Sequence, residues 1–402
     1  MKNPKYQVLI LYAATFLGAI LNFIASKINT DHLAIAEYGD VTYVQTVIQL
    51  VSWVVLFGWF MSGSRLLALS DNKEKSARIR GAVVFCLVVS SLLLVFISFS
   101  IGLAHWSKGG IMTLFFCSLP VCIYPLLTNY MNTTAQGDNF IGRLALARAL
   151  PVTCYLVLAI LIYPRIEVSS NTVLLMHWGT CSLVLIAIII STRPRFTNLK
   201  PVFQELRKEN REYGIELYYG SLVMVATNYL AGVTLGWMND DNTLVGFYSL
   251  ALSLSQPLSY LPGIVGTTYF KRFVHEDRIP SKVLKITLLI SLVSFIGFLI
   301  LVKPVVCLYK ESYAPVALYA APLAFGFCIH GIGDMINRYL GSHGEGRSIR
   351  NCSFACGAVK ITGSFLFVYL WDINGAILTI VLSSVVYALS LLVSYRRYIR
   401  SN

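Results

Sequence analysis

The sequence predicts an all-α polytopic membrane protein, with about twelve transmembrane helices in two lobes of six. Its 402 residues are 56% hydrophobic and only 13% charged, about half the charged fraction of a soluble domain. The apolar residues come in runs of roughly 20, the length that a helix needs to cross a hydrocarbon core of about 30 Å. Short polar loops separate these runs, and no polar stretch is long enough for a soluble domain.

Twelve apolar runs follow one another along the chain. The first six predicted spans are 6–26, 41–61, 82–103, 111–129, 145–163 and 173–190. After a longer polar segment, the other six are 215–238, 244–270, 283–302, 316–336, 352–370 and 376–395. Prolines interrupt three of these spans, at Pro120 and Pro125, at Pro257 and Pro262, and at Pro315 and Pro322. A proline inside a helix removes a hydrogen bond, so it favours a kink.

The basic residues give the orientation. Of the 32 Lys and Arg, 26 fall in the segments on one face, and five lie on the opposite face. Because Lys and Arg in short loops favour the cytoplasm, both termini are predicted to be cytoplasmic. The same placement between apolar spans argues against nucleic acid as the partner of a chain with a net charge of +13. The nine cysteines lie almost entirely inside the spans and form no second ligand pair, which predicts no metal site.

The two halves carry an internal repeat at an offset of 207 residues. Gly39 aligns with Gly246, and Gln49 aligns with Gln256, at equivalent points of the topology. The predicted domains are residues 1–192, a linker at 193–213, and residues 214–402. Six spans per half give both halves the same orientation, so they are related by a pseudo-two-fold axis along the membrane normal, with the substrate path expected at their interface.

The predicted linker is the longest and most basic loop. Its basic residues are Arg193, Arg195, Lys200, Arg207, Lys208 and Arg211. Anionic lipid of the inner leaflet attracts such segments, and ordinary positive-inside topology explains them equally well.

Glu37-Tyr38-Gly39-Asp40 and the end of the next span, residues 57–68, carry a family resemblance. The first is a turn before an apolar span, and the second reads Phe-Gly-Trp-Phe-Met-Ser-Gly-Ser-Arg-Leu-Leu-Ala. This pattern resembles bacterial O-antigen and polysaccharide flippases of the multidrug/oligosaccharidyl-lipid/polysaccharide exporter superfamily. The chain departs from the pattern at Asp31, where that family often has Arg. This makes Lys27 the nearest cation for an outer gate.

The resemblance implies a flippase of the bacterial inner membrane and no enzymatic activity. Such a protein moves undecaprenyl-diphosphate-linked oligosaccharide from the inner to the outer leaflet by alternating access. Its partners would be the lipid-linked oligosaccharide, membrane lipids, and a polysaccharide polymerase and chain-length regulator. It needs no cofactor and no catalytic residue, although H⁺ or Na⁺ can drive the cycle.

Lys360 is the leading candidate for binding the diphosphate. It lies eight residues into its span, about 12 Å from the inner edge at 1.5 Å per residue. A charge at that depth is costly and usually faces the protein interior or a water-filled path. The alternative is a lysine neutralised by a partner.

Seven other polar residues are candidates for lining a substrate cavity. They are Arg143, Arg148, Lys27, Gln49, Gln256, Asn22 and Asn228. Arginine grips phosphate oxygens in pairs, but the two arginines also suit interfacial anchoring, as do Arg65 and Arg272. The amides suit sugar hydroxyls and helix–helix hydrogen bonds alike.

Four titratable residues are candidates for ion coupling. They are Glu216, Asp334, His177 and His330. The first two lie near the predicted inner interface, where simple solvation also accounts for them.

Two other classes of protein remain as alternatives. One is another transporter of the same superfamily, such as a multidrug or peptidoglycan-precursor exporter. The other is a membrane polysaccharide polymerase or glycosyltransferase, which the short outside loops disfavour because those enzymes usually carry a large one.

Overall fold

The computed structural model describes residues 4–70, 72–138, 140–273 and 275–401. The side chains at 4–9, 11–12, 224, 226, 267–268, 270–271 and 401 lie outside the description. Every regular element in the described residues is helical, as the sequence predicts. The chain forms two compact units, residues 1–33 with 44–222 and residues 34–43 with 223–402.

The first unit contains the helices up to α10. The α-helices are α1 (Pro4–His32), α2 (Ile35–Val54), α3 (Trp59–Ala68), α4 (Lys73–Ala104), α5 (Gly109–Ser118), α6 (Tyr124–Gly137), α7 (Ile141–Ile162), α8 (Ser170–Ser191), α9 (Leu199–Glu209) and α10 (Ile215–Ser221). Helix α7 packs on α1 and α8, and α6 packs on α3 and α8. Residues 35–43 of α2 belong to the second unit.

The second unit is centred on one long helix. Its α-helices are α11 (Thr227–Met238), α12 (Thr243–Ser255), α13 (Pro257–Phe273), α14 (Ser281–Val306), α15 (Val316–Ser342) and α16 (Gly346–Ser401). Helix α15 packs on α12, α13, α14 and α16. A core of fully buried aromatic and aliphatic side chains, including Phe273, Tyr339 and Tyr387, joins α13, α15 and α16.

The element α16 consists of two helices. At about 1.5 Å per residue its 56 residues would extend more than 80 Å, far beyond a bilayer core. The backbone leaves helical geometry at Trp371 and Asp372. Thr379 lies against Gly363, where an added Cβ would be 2.5 Å from its hydroxyl, so the chain reverses. The break falls between the predicted spans 352–370 and 376–395.

Six helical segments of the described residues are individually long and apolar enough to cross a membrane. They are Lys73–Ala104, Ile141–Arg165, Ser170–Ser191, Ser281–Val306, Glu311–Ser342 and Gly346–Arg400, and α2 with α3, bent by 60°, makes a seventh if it is one span. The chain is therefore a multi-pass membrane protein. The total of about twelve spans stays a prediction, because several of the predicted runs are divided between shorter helices.

The breaks agree only partly with the prolines. Within the fourth predicted span, α5 ends at Ser118, and the helix resumes as α6 after a non-helical stretch that contains Pro120. The eighth is divided at Gln256, before Pro257. In the tenth span, α15 starts after Pro315 and continues through Pro322 without a break.

The segment predicted as a linker contains ordered helix. Helix α9 packs on α3 and α4 within the first unit. It continues into π-helical turns at Asn210–Gly214, and a second π-helical segment covers Leu222–Ala226. The boundaries 1–192, 193–213 and 214–402 for the domains stay a prediction.

Candidate functional site

Lys360 lies in the interior of the second unit. The residue is 4% exposed, and its ammonium donates a hydrogen bond to Oδ1 of Asn228 on α11. Asn228 is itself exposed. Among the described residues Lys360 takes part in no ion pair within 4.0 Å. The charge is therefore held by a neutral amide at the surface of the unit, and two of the three donors of the ammonium have no partner in the described contacts.

A second group of polar side chains surrounds Tyr387. Its hydroxyl donates to Oδ1 of Asp334 over 3.1 Å and accepts from Nδ2 of Asn337 over 2.7 Å. The ring of His330 stacks on the tyrosine ring, with centroids 4.6 Å apart. Asp334 is near enough to interact electrostatically with both His330 and Lys360. We call Asn228, His330, Asp334, Asn337, Lys360 and Tyr387 the polar cluster.

The polar cluster joins residues that the sequence treated separately. Lys360 and Asn228 were candidates for substrate, and His330 and Asp334 for coupling. Asn337 and Tyr387 were missed. The spacing of His330, Asp334 and Asn337, at i, i+4 and i+7, places them on one face of α15 and was a usable signal.

The arrangement allows the ammonium to bind an anion. An anion that reached the exposed Asn228 would stand one hydrogen bond away from Lys360. A lysine ammonium is a compact point charge suited to phosphate oxygens. Asp334 is the acidic residue that interacts electrostatically with Lys360, and it limits the positive potential of the site.

Arg143 and Arg148 are held within the first unit. Arg143 donates to the carbonyl oxygen of Ser191 over 2.9 Å and covers the ring of Phe140 at 4.2 Å. Arg148 donates to the hydroxyl of Thr15. Both arginines are partly buried. These contacts suit anchoring as well as binding, and their role as substrate ligands stays a prediction.

Lys27 and Asn22 make local contacts on α1. Lys27 forms an ion pair with Asp31 one turn later on the same helix. Asp31 is the residue at which the chain departs from the family pattern, so the departure supplies a counter-charge to the candidate gate cation. Asn22 is exposed and donates to the carbonyl oxygen of Gly18 over 2.8 Å.

His177 lies in an aromatic group of the first unit. Its ring stacks on Tyr155 with centroids 4.5 Å apart, and its buried Nε2 has no hydrogen-bond partner among the described residues. The hydroxyl of Tyr155 bonds to Asn29 and lies 2.9 Å from the hydroxyl of Tyr163. His177 therefore belongs to the first unit, whereas the polar cluster belongs to the second.

The structure leaves the two glutamines and Glu216 outside any group of functional side chains. Gln49 is half-buried, and Gln256 is exposed at the break before α13. Glu216 is exposed at the start of α10. Their roles stay predictions.

The break between α2 and α3 falls at the start of the motif at residues 57–68, and it uses two partners, Asn210 and Tyr218, that the sequence did not single out. Phe57 and Gly58 have positive φ angles of 46° and 78°. Asn210 donates to the carbonyl oxygen of Phe57 over 3.1 Å and accepts from the hydroxyl of Ser62 over 2.8 Å. Tyr218 donates to the carbonyl oxygen of Val54 over 2.7 Å. A broken helix in a membrane needs such partners for its freed carbonyls.

The first part of α2 has its own tight contacts within the second unit. Asn242 donates to the carboxylate of Asp40 over 2.7 Å. A Cβ on Gly39 would lie 1.9 Å from the carbonyl oxygen of Asn242, so only glycine fits there. Gly246, its predicted repeat partner, also lies against Gly39. Two glycines aligned by the repeat therefore face each other.

Two solved structures of transporters are similar to this chain. A lipid II flippase, MurJ, in an inward closed conformation matches with a TM-score of 0.77, 14% identity, and coverage of 96% of this chain and 87% of that one. An inward-facing multidrug resistance MATE family transporter of the MOP superfamily matches with a TM-score of 0.73, 14% identity and 98% of both chains. At these identities the likeness shows the fold of a MOP superfamily transporter.

Sequence comparison gives a family. No curated protein sequence matches the chain significantly. A family model described as "Polysaccharide biosynthesis protein" matches residues 6–270, about two thirds of the chain. No group of three or more His, Cys, Asp or Glu that could hold a metal occurs in the described part of the chain. The match over about two thirds of the chain shows that this protein belongs to the polysaccharide biosynthesis protein family.

Proposed function

We propose that the protein is a flippase, not an enzyme, for undecaprenyl-diphosphate-linked oligosaccharide, such as an O-antigen repeat unit. It would carry this lipid from the inner to the outer leaflet of the bacterial inner membrane, with both termini in the cytoplasm. One observation carries the proposal: Lys360 is buried inside a membrane helix unit, bonded to an amide and without an acidic partner within ion-pair distance in the described residues. Membership of a polysaccharide biosynthesis family supports a sugar-bearing lipid as the substrate.

The energetics of Lys360 support a role in binding. A lysine at the centre of a membrane helix costs about 2.5–3.5 kcal/mol on insertion scales. One hydrogen bond to an amide returns about 1.5–3 kcal/mol. The fold therefore gains little or nothing from the charge, and a cationic side chain that adds little stability is a candidate for function. A diphosphate presents several oxygens to the two remaining ammonium donors.

The other cavity candidates extend this proposal. Gln49 and Gln256 would bond sugar hydroxyls during the cycle. Arg143, Arg148 and Lys27 would meet the diphosphate as it enters or leaves. Polymerase and chain-length regulator proteins would receive the flipped unit.

We further propose that Asp334 and His330 couple the cycle to H⁺ or Na⁺. Both interact electrostatically with Lys360, and Tyr387 and Cys356 are the other titratable groups of this region. A change of charge at Asp334 would alter the anion affinity of the ammonium, which links ion binding to substrate binding. Glu216 and His177 lie in the first unit and would need a separate mechanism.

A second candidate substrate is a peptidoglycan precursor. The solved structure with a TM-score of 0.77 to this chain is a lipid II flippase. Lipid II shares the prenyl diphosphate, so the chemistry proposed for Lys360 would serve both substrates. A substrate comparison separates them.

The test is translocation in proteoliposomes. Purified protein is reconstituted with an undecaprenyl-diphosphate oligosaccharide, with lipid II, or with a cationic dye, and the outer-leaflet fraction is measured with a membrane-impermeant reagent. We expect flipping of the oligosaccharide lipid and none of the dye. Transport of the dye alone would contradict the proposal. A preference for lipid II would make lipid II the substrate in place of the oligosaccharide lipid.

A variant test in cells uses Lys360→Ala. We expect surface polysaccharide to be lost while the protein still inserts into the membrane. Lys282→Ala removes an exposed lysine of the second unit and serves as the matched control. Full export by a stable Lys360→Ala variant would refute the role of this lysine.

A further inference from the structure

The surface helix α9 and the turns after it carry a cationic groove. One face of this segment carries four residues at i, i+3, i+4 and i+7: Gln204, Arg207, Lys208 and Arg211. Together with Glu212, they line an open groove of about 410 Å³. Three cations and one carboxylate leave a net charge of +2 at the groove.

The opposite face fixes the segment in the first unit. Val202, Leu206 and Asn210 are buried, four residues apart along the helix. Phe203 packs edge-on against Phe85 of α4, with ring centroids 5.4 Å apart. The helix is therefore anchored by one face and presents its cations on the other.

The acidic residues of α9 are already paired with other parts of the unit. Glu205 pairs with Lys75 over 2.8 Å, and Glu209 pairs with Arg65 over 2.9 Å. The three groove cations are exposed and take part in none of the ion pairs found in the described residues. The positive charge of the groove is thus left for an external anion.

We propose that this groove binds the phosphate headgroup of an anionic phospholipid from the inner leaflet. Two guanidinium groups and an ammonium suit a phosphodiester. The next helix, α10, exposes Leu217 at 42% and Tyr219 at 59%, beside the groove along the chain. These side chains provide contact for the acyl chains and for the interfacial layer, where tyrosine is favoured. A soluble phosphate would use only the cations.

The bound lipid would act on the break between α2 and α3. Asn210, within the grooved segment, bonds to the backbone of Phe57 and to Ser62 in that break. A headgroup that holds the segment in place therefore stabilises the capping of a bent membrane helix. We expect anionic lipid to raise the unfolding temperature of the purified protein.

Binding is tested by native mass spectrometry of the full chain, titrated with phosphatidylglycerol or phosphatidylethanolamine. Each cation near a membrane surface strengthens binding of anionic lipid about five-fold. The variant with Arg207→Ala, Lys208→Ala and Arg211→Ala is expected to bind phosphatidylglycerol on the order of a hundred-fold more weakly. Its stabilisation by that lipid is expected to vanish.

A matched variant separates a built site from general surface charge. Lys282→Ala, Lys285→Ala and Arg347→Ala remove the same charge from exposed positions of the second unit. We expect this variant to keep its affinity. Equal weakening in both triple variants would overturn the proposal, and so would equal binding of the two lipids by the natural protein. Full protection by inorganic phosphate would overturn the lipid as the ligand. Since the assay measures binding without transport, it is independent of the flippase proposal.

Discussion

Replacing Lys360 by methionine should separate stability from transport. Methionine keeps the length of the stem and removes the charge. The structure gives the ammonium one hydrogen bond, to Asn228, at a site only 4% exposed. The insertion cost of about 2.5–3.5 kcal/mol is then offset by about 1.5–3 kcal/mol from that bond. The variant should therefore be as stable as the natural protein, or more stable by up to about 2 kcal/mol.

Transport should change in the opposite direction. Removing one partner of a desolvated charge pair costs about 2–5 kcal/mol of binding. At about 1.4 kcal/mol per factor of ten, the affinity for the diphosphate should fall at least about 30-fold. Two readouts that move in opposite directions distinguish a ligand from a structural lysine.

Stability is measured as the unfolding temperature of the purified protein in detergent, and transport as the flipping rate in proteoliposomes over a range of substrate concentrations. Lys360→Arg keeps a cation and should retain part of the activity. Asn228→Asp supplies an acidic partner to the ammonium, so we expect it to preserve stability and reduce transport. Lys282→Met, at an exposed position, should change neither readout.

The reasoning would be refuted by two results. The first is a methionine variant that flips the substrate at the natural rate. The second is a variant that loses several kcal/mol of stability and loses transport only in proportion to the unfolded fraction, because Lys360 would then be a packing residue.

Three further predictions concern the fold. Asn210→Ala should lower the free energy of unfolding by about 1–3 kcal/mol, because it removes the hydrogen bonds of a buried amide to the Phe57 carbonyl and the Ser62 hydroxyl in the helix break; an unchanged unfolding temperature would contradict this. Gly39→Ala puts a methyl group 1.9 Å from a backbone carbonyl oxygen and should destabilise the second unit, whereas Gly110→Ala, with nothing within 4 Å, should not. Burial raises the pKa of Asp138 above 3.8 despite two nearby arginines. The folded state then holds this proton more tightly, so stability falls as the pH rises from 3.8 through the raised pKa, and Asp138→Asn should flatten that slope in acid unfolding measurements.

The composition and apolar runs were sufficient to predict helices in a membrane. In a chain that is 56% hydrophobic, apolar runs of roughly 20 residues fit helices, which satisfy their own backbone hydrogen bonds in lipid. The repeat also identified Gly39 and Gly246, although only the structure shows that they lie against each other. Breaks in helices were predicted less well. Pro257 marked one correctly, whereas Pro322 lies inside a continuous α15. The break at Phe57 has no proline and depends on Asn210 and Tyr218, far along the chain.

The sequence by itself predicted the membrane environment of this protein and its all-helical class. It also identified Lys360 as a basic residue unusually deep in a span, because all three follow from local hydropathy and helix length. The tertiary structure alone decided which polar residues meet. Asn228, Asp334 and Lys360 come from three helices, and helix packing brings them together across more than 100 residues of sequence. Local patterns cannot predict contacts between residues so far apart in the sequence, because each residue's neighbours in space depend on how the other helices pack.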